Sequence, residues 1–141
     1  MAPTLNEHAA TLRARGWRVE EVSKVAALAG ADLAVVVNPN NPDGQVWSRA
    51  ALLALVPKVG RLVVDESFAD PAPQHSLAGD AGRQGLAVLR SFGKIYRLAV
   101  LRLGIAVGCQ ADFARSQTLG GPRPVSGPAL VTGTVALADR H

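Results

Sequence analysis

A chain of 141 residues, 48% hydrophobic and only 18% charged, has enough apolar content for one buried α/β core and too much for a disordered or coiled chain. The net charge of +4 comes from fifteen basic residues, twelve of them arginines set singly among Ala, Gly, Leu and Val, a pattern that argues against nucleic-acid partners. One cysteine, Cys109, excludes an internal disulfide and a cysteine zinc cage. The apolar runs are far shorter than a bilayer span, so a soluble cytoplasmic protein is expected.

Residues 5–15 carry helical spacing, and Gly16 fits the end of that helix. Arg18 to Lys24 is extended in character. Ala34 to Val37 is a short β-branched run that stops at Asn38-Pro39, which predicts a buried strand. Asn38 to Gly44 (NPNNPDG) is loop chemistry. Ser48 is placed to cap a helix through Lys58, and Arg61 to Val64 predicts a second strand ending at Asp65.

Pro71 to Gly82 predicts a loop. Ala87 to Arg90 and Ile105 to Gly108 predict two further strands around the segment Ser91 to Gly104. A helix is expected from Asp112, a break at Gly120 to Pro124, and a last helix from Pro128 to Arg140. Short apolar strands separated by helices predict an α/β fold, a three-layer α/β/α arrangement on a mostly parallel sheet. Ligands of such sheets bind beyond the carboxyl ends of the strands, and polar punctuation falls there three times: Asn41, Asp65, and Ser91 to Lys94.

A pyridinium electron sink needs an amine for covalent attachment and a carboxylate for its ring nitrogen. It also needs a donor for its phenolic oxygen, and hydroxyls with a cation for its phosphate. Each need has a candidate at a strand end. Of Lys24, Lys58 and Lys94, only Lys94 lies in a Ser- and Gly-flanked turn directly after an apolar strand.

Three segments in order, Asn38-Pro-Asn-Asn-Pro-Asp-Gly44, Val63-Val-Asp-Glu-Ser-Phe68, and Ser91-Phe-Gly-Lys through Arg102-Leu-Gly104, resemble the motifs of class I/II aminotransferases, which use pyridoxal phosphate. The resemblance covers nearly the whole chain and implies the large, cofactor-binding domain of that fold over residues 1–141, without the small domain. It implies that Asn41 bonds the phenolic oxygen and Asp65 the pyridine nitrogen. Lys94 would form the Schiff base and shuttle the proton at the substrate α-carbon, while Ser91 and Arg102 would bind the phosphate. NPNNP, Phe68, the Asn6-Glu7-His8 opening and the Leu119 to Ala129 tail point to the branch of histidinol-phosphate aminotransferases and threonine-phosphate decarboxylases, with the decarboxylases of cobalamin synthesis nearer. Substrates there are amino-acid phosphates, and family members are homodimers. Phe68 stands where many relatives carry Tyr.

Departures from the pattern accompany the resemblance. Arg97 and Val100 replace small residues, where bulk opposes a tight turn, so Val100 is expected to crowd it and Arg97 to lie on the surface or clash, with an added cation for the phosphate as the alternative role of Arg97. Arg123 stands where the decarboxylase branch has an aromatic residue. The family's upstream phosphate loop and stacking aromatic, and the downstream arginine for the substrate carboxylate, have no counterpart, so a fragment or truncated gene product is expected. As an isolated chain it would bind the cofactor weakly. A non-catalytic remnant is the rival reading. An unrelated nucleotide-binding domain is disfavoured because neither a GxGxxG nor a GKS/T loop occurs.

The remaining residues receive plainer expectations. His8, His75 and His141 lack metal spacing, so no metal is expected. Glu66 is read as a loop carboxylate, Trp17 and Trp47 as packing residues, and Cys109 as a small buried side chain. Ser67 and Ser126 show no partner base that would make either a hydrolase nucleophile.

Overall fold

The computed structural model describes residues 7–94, 96–114 and 125–138. Asn6 of the expected opening motif, Gly120 to Pro124 with Arg123, and His141 lie outside them.

Four strands form one sheet in the order β1 (Ala34–Val37), β2 (Leu62–Asp65), β3 (Leu86–Ser91) and β4 (Gly104–Gly108). The first three are parallel, pairing Val37 with Asp65 and Asp65 with Leu89. Strand β4 runs antiparallel to β3, with Ser91 opposite Gly104. All three parallel strands are short β-branched or Leu-rich runs bounded by polar residues, so they sit within two residues of where the sequence puts them.

Side chains alternate across the sheet. Ala34, Val36, Leu62, Val64, Leu86 and Val88 are at most 1% exposed and meet Leu52, Leu55 and Leu77 in one cluster. Each such buried Leu or Val contributes roughly 1.5–3 kcal/mol of transfer free energy. Leu52 and Leu55 come from the β1–β2 crossover, where α2 (Arg49–Leu53) begins with the Ser48 hydroxyl accepting from the Ala51 amide at 3.2 Å. The helix expected to reach Lys58 stops at Leu53, and a 3-10 turn with Pro57 in its first turn, Val56–Lys58, follows. Two more 3-10 turns, Pro73–His75 and Ala78–Asp80, lie in the expected loop between β2 and β3.

The opposite sheet face carries Val35, Val63 and Asp65, and α1 (Glu7–Ala14) reaches it through His8. Helices α2 and α1 thus lie on opposite faces, which is the layered α/β arrangement. No residue of α1 is fully buried, and Trp17 just after it is 48% exposed, so Trp17 is not the packing residue expected. Trp47 does pack against the core.

A helical segment, α3, runs from 110 to 114, starting two residues earlier than expected. Its Asp112 carboxylate accepts from the Gly85 amide, from Arg61 and from the half-buried Cys109 thiol. Helix α4 (Gly127–Ala138) approaches so closely at Gly133 that a Cβ there would lie 2.5 Å from Leu103 Cδ2. Among the described residues no helix is long and apolar enough to cross a membrane.

Candidate functional site

The carboxyl ends of β1, β2 and β3 and the amino end of the antiparallel β4 share one edge of the sheet. That geometry brings the chemistry-bearing residues together. Asp65 is the last residue of β2, Ser91 the last of β3, Lys94 lies three residues beyond, and Arg102 lies two before β4. Asn38 follows β1, its amide donating to the Asp65 carbonyl at 2.8 Å.

The NPNNPDG segment folds as the turn its composition dictates. Buried Asn38 clamps Trp47, accepting from its amide at 2.9 Å and donating to its carbonyl at 3.2 Å. Asn40 Nδ2 donates to Asp43 Oδ1 at 2.7 Å, and both Asn-Pro peptides, 38–39 and 41–42, are cis. Asn41 is half-buried just past this clamp. No described residue hydrogen-bonds its side chain, so the amide is available to a ligand.

Asp65 is the most constrained member. Its Oδ2 lies 2.7 Å from His8 Nε2, and its Oδ1 accepts from the Ser67 amide at 3.0 Å and hydroxyl at 2.6 Å. Burial pushes its pKa upward, but the bonds from His8 and Ser67 outweigh that and hold it below the ordinary 3.8. The same bond to Asp65 raises His8 above 6.5, against the opposing effect of its own burial. Asp65 is thereby kept ionised, the state needed to pair with a protonated ring nitrogen. The sequence reading missed His8. Its one signal was the Glu7-His8 step, and nothing local connects it to a carboxylate 57 residues away.

Lys94 is exposed, with its Nζ 5.8 Å from the centre of the Phe68 ring. A cavity of about 220 Å³ is lined by Ser91, Gly93, Ala99, Arg102, Leu103 and Gly104. A Cβ on Gly93 would meet the Ala99 Cα at 3.3 Å, so a small residue is needed where the turn closes over this cavity. Arg102, with a left-handed backbone at φ 49°, makes no ion pair with a described residue. A hydroxyl and an unpaired guanidinium around a small cradle fit a phosphate, and the ionised Asp65 fits a pyridinium. A larger cavity of about 440 Å³ lies between α1, residues 17–22 and β1, and only His8 connects it with this set.

The departures resolve differently from one another. Val100 is 94% exposed and has an ordinary φ, so it does not crowd the turn. Arg97 is exposed and sits at φ 55°, a conformation that small Gly adopts without strain. Glu66 is not a loop carboxylate. It is fully buried and accepts from the Leu77 amide at 2.6 Å, the Ser76 hydroxyl at 2.6 Å and Arg90 at 3.0 Å.

With this geometry in place, comparison with known proteins is informative. The family model for aminotransferase class I and II matches residues 17–139. A threonine-phosphate decarboxylase from a Sinorhizobium species is 47% identical over 134 residues, 91% of this chain and 40% of that protein. Its counterpart in Pseudomonas aeruginosa is 42% identical over 148 aligned positions, all of this chain and 45% of that protein. In the solved structures, L-threonine-O-3-phosphate decarboxylase from Porphyromonas gingivalis superposes with a TM-score of 0.87 over 97% of this chain and 45% of its own, at 24% identity, a likeness of fold. The chain therefore spans less than half the length of these relatives.

Proposed function

The chain belongs to the class I and II aminotransferase family, and from that premise we propose that it carries the cofactor-anchoring half of a cytoplasmic threonine-phosphate decarboxylase. The observation that supports this reading is the placement of Asp65, Ser91, Lys94 and Arg102 at one sheet edge, where Ser91 and Arg102 line a small cradle. Pyridoxal phosphate, when bound, supplies the electron sink that lets a bond to the substrate α-carbon break.

The chain's own residues divide the remaining work. Arg102 and the Ser91 hydroxyl hold the phosphate, with Arg102 giving a charge-assisted grip. Asp65, kept ionised by His8 and Ser67, holds the proton on the ring nitrogen. Asn41 donates to the phenolic oxygen. Lys94 Nζ would attach the cofactor and, once the bond between the α-carbon and its carboxylate has broken and carbon dioxide has left, would deliver a proton to the α-carbon. Phe68 lacks the hydroxyl of a tyrosine, so it offers the cofactor only a packing surface next to Lys94. A homodimer, as the family resemblance implies, would complete the site.

Borohydride reduction after incubation with pyridoxal phosphate, followed by peptide mapping, tests the anchoring half. The pyridoxyl group is expected on Lys94, and label on Lys24 or Lys58 instead would refute it. Release of carbon dioxide from threonine phosphate, against amino transfer to a keto acid, then separates decarboxylase from aminotransferase chemistry.

A further inference from the structure

We propose that Asp70 and Tyr96 form a latch that holds the Lys94 turn against the sheet, acting as positioning residues for the amine. The inference rests on the proposed role of Lys94 for its purpose, but its geometry is independent of any cofactor.

The turn is pinned on both sides of Lys94. On one side Phe92 is 2% exposed, and the Gly93 amide donates to the Ser91 hydroxyl at 3.2 Å. On the other the Tyr96 ring packs on Phe92 at 5.3 Å between centroids, and its hydroxyl donates to Asp70 Oδ1 at 3.3 Å. Asp70 is itself fixed, because its Oδ1 also accepts from Arg90 Nη2, and Arg90 Nη1 donates to buried Glu66 at 3.0 Å. The hydrogen-bonded chain from Glu66 to Tyr96 thus ties the loop after β2 to the turn after β3.

Arg97 shows why such a tie is needed. A left-handed backbone at a non-glycine residue persists only where neighbours over-determine it. Here the neighbours are Tyr96, held by Asp70, and Leu98, whose amide donates to the Phe92 carbonyl at 3.1 Å. Released from Asp70, the turn would open toward the ordinary right-handed conformation and carry Lys94 away from its place over the Phe68 ring. Glu66, Arg90, Asp70 and Tyr96 need not touch a ligand for this.

The test uses Tyr96→Phe, which keeps the ring and removes only the hydroxyl, and Asp70→Asn as a second variant. Native-state trypsin reads the turn directly, since Lys94 and Arg97 are cleavage sites within it and Lys58 is an internal reference. Cleavage after Lys94 and Arg97 should rise about tenfold in Tyr96→Phe, the equivalent of one hydrogen bond to a charged group, with Lys58 unchanged. The rate of borohydride trapping of pyridoxal phosphate on Lys94 should fall by a similar factor. Cleavage within about twofold of the parent in both variants overturns the latch, as does an equal rise at Lys58 in Tyr96→Phe. Faster cleavage with an unchanged trapping rate overturns its positioning role. If the parent chain takes no label on Lys94 while the cleavage pattern changes as expected, the latch stands and the functional reading falls.

Discussion

Removing the imidazole of His8 gives a direct measure of what holds Asp65 and α1 in place. Helix α1 buries no residue fully, so its attachment depends heavily on the 2.7 Å contact between His8 and Asp65. The His8 and Asp65 side chains are 28% and 12% exposed, which leaves the pair partly screened by solvent. A charge-assisted hydrogen bond is worth about 1.5–3 kcal/mol, and discounting for this exposure leaves about 1–2 kcal/mol. For a chain of this size, that corresponds to a fall in Tm of roughly 3–8 °C in His8→Phe.

The pH dependence follows from the two shifts. His8 has its folded pKa raised above 6.5, so its contribution is complete below that value and is lost as pH rises through the folded pKa. Asp65 has its folded pKa lowered below 3.8, so its contribution is present above 3.8 and is lost as pH falls through the folded pKa. Both are fully expressed between these ordinary values. Thermal melts of parent and His8→Phe should therefore differ most near pH 5, and the gap should narrow above the folded pKa of His8, where a neutral imidazole still bonds the carboxylate but the attraction between opposite charges is gone. An equal gap at both ends of the range, or no gap near pH 5, would refute the assignment.

Two further outcomes follow from the same structure. Glu66→Ala leaves Arg90, the Ser76 hydroxyl and the buried Leu77 amide without their shared acceptor, and should cost about 3–5 kcal/mol in urea unfolding; a loss under about 1 kcal/mol would show that Glu66 is not the hub. Arg97→Gly removes a left-handed strain of about 1–2 kcal/mol but loosens the unfolded chain, for a net gain of about 0.5–1 kcal/mol. Arg97→Ala should gain nothing, because Ala meets the same steric conflict at φ 55°, and equal melting temperatures for the Gly and Ala variants would contradict the strain.

Local chemistry by itself determined a good part of this protein. The strands at Ala34–Val37, Leu62–Asp65 and Leu86–Ser91 are short apolar runs ended by polar residues, and a run of that kind needs no distant information to be recognised. The NPNNPDG turn and the Lys94 turn are likewise written in adjacent residues. Placing Asn41, Asp65 and Lys94 at strand ends followed from those runs, because a parallel sheet puts all its carboxyl ends on one edge.

Only the tertiary structure decided which distant groups meet. Arg102 lies near Ser91 because β4 turns back antiparallel with Gly104 opposite Ser91, and strand direction is set by pairing rather than by composition. His8 meets Asp65 across 57 residues because the chain brings α1 to the side of the sheet that carries Asp65. Glu66 looked like a loop carboxylate because charge next to a turn reads as solvated, and its burial depends on Arg90 and Ser76 arriving from elsewhere in the chain. The left-handed backbone of Arg97 is fixed by its held neighbours, Tyr96 and Leu98, against the side chain's own steric preference.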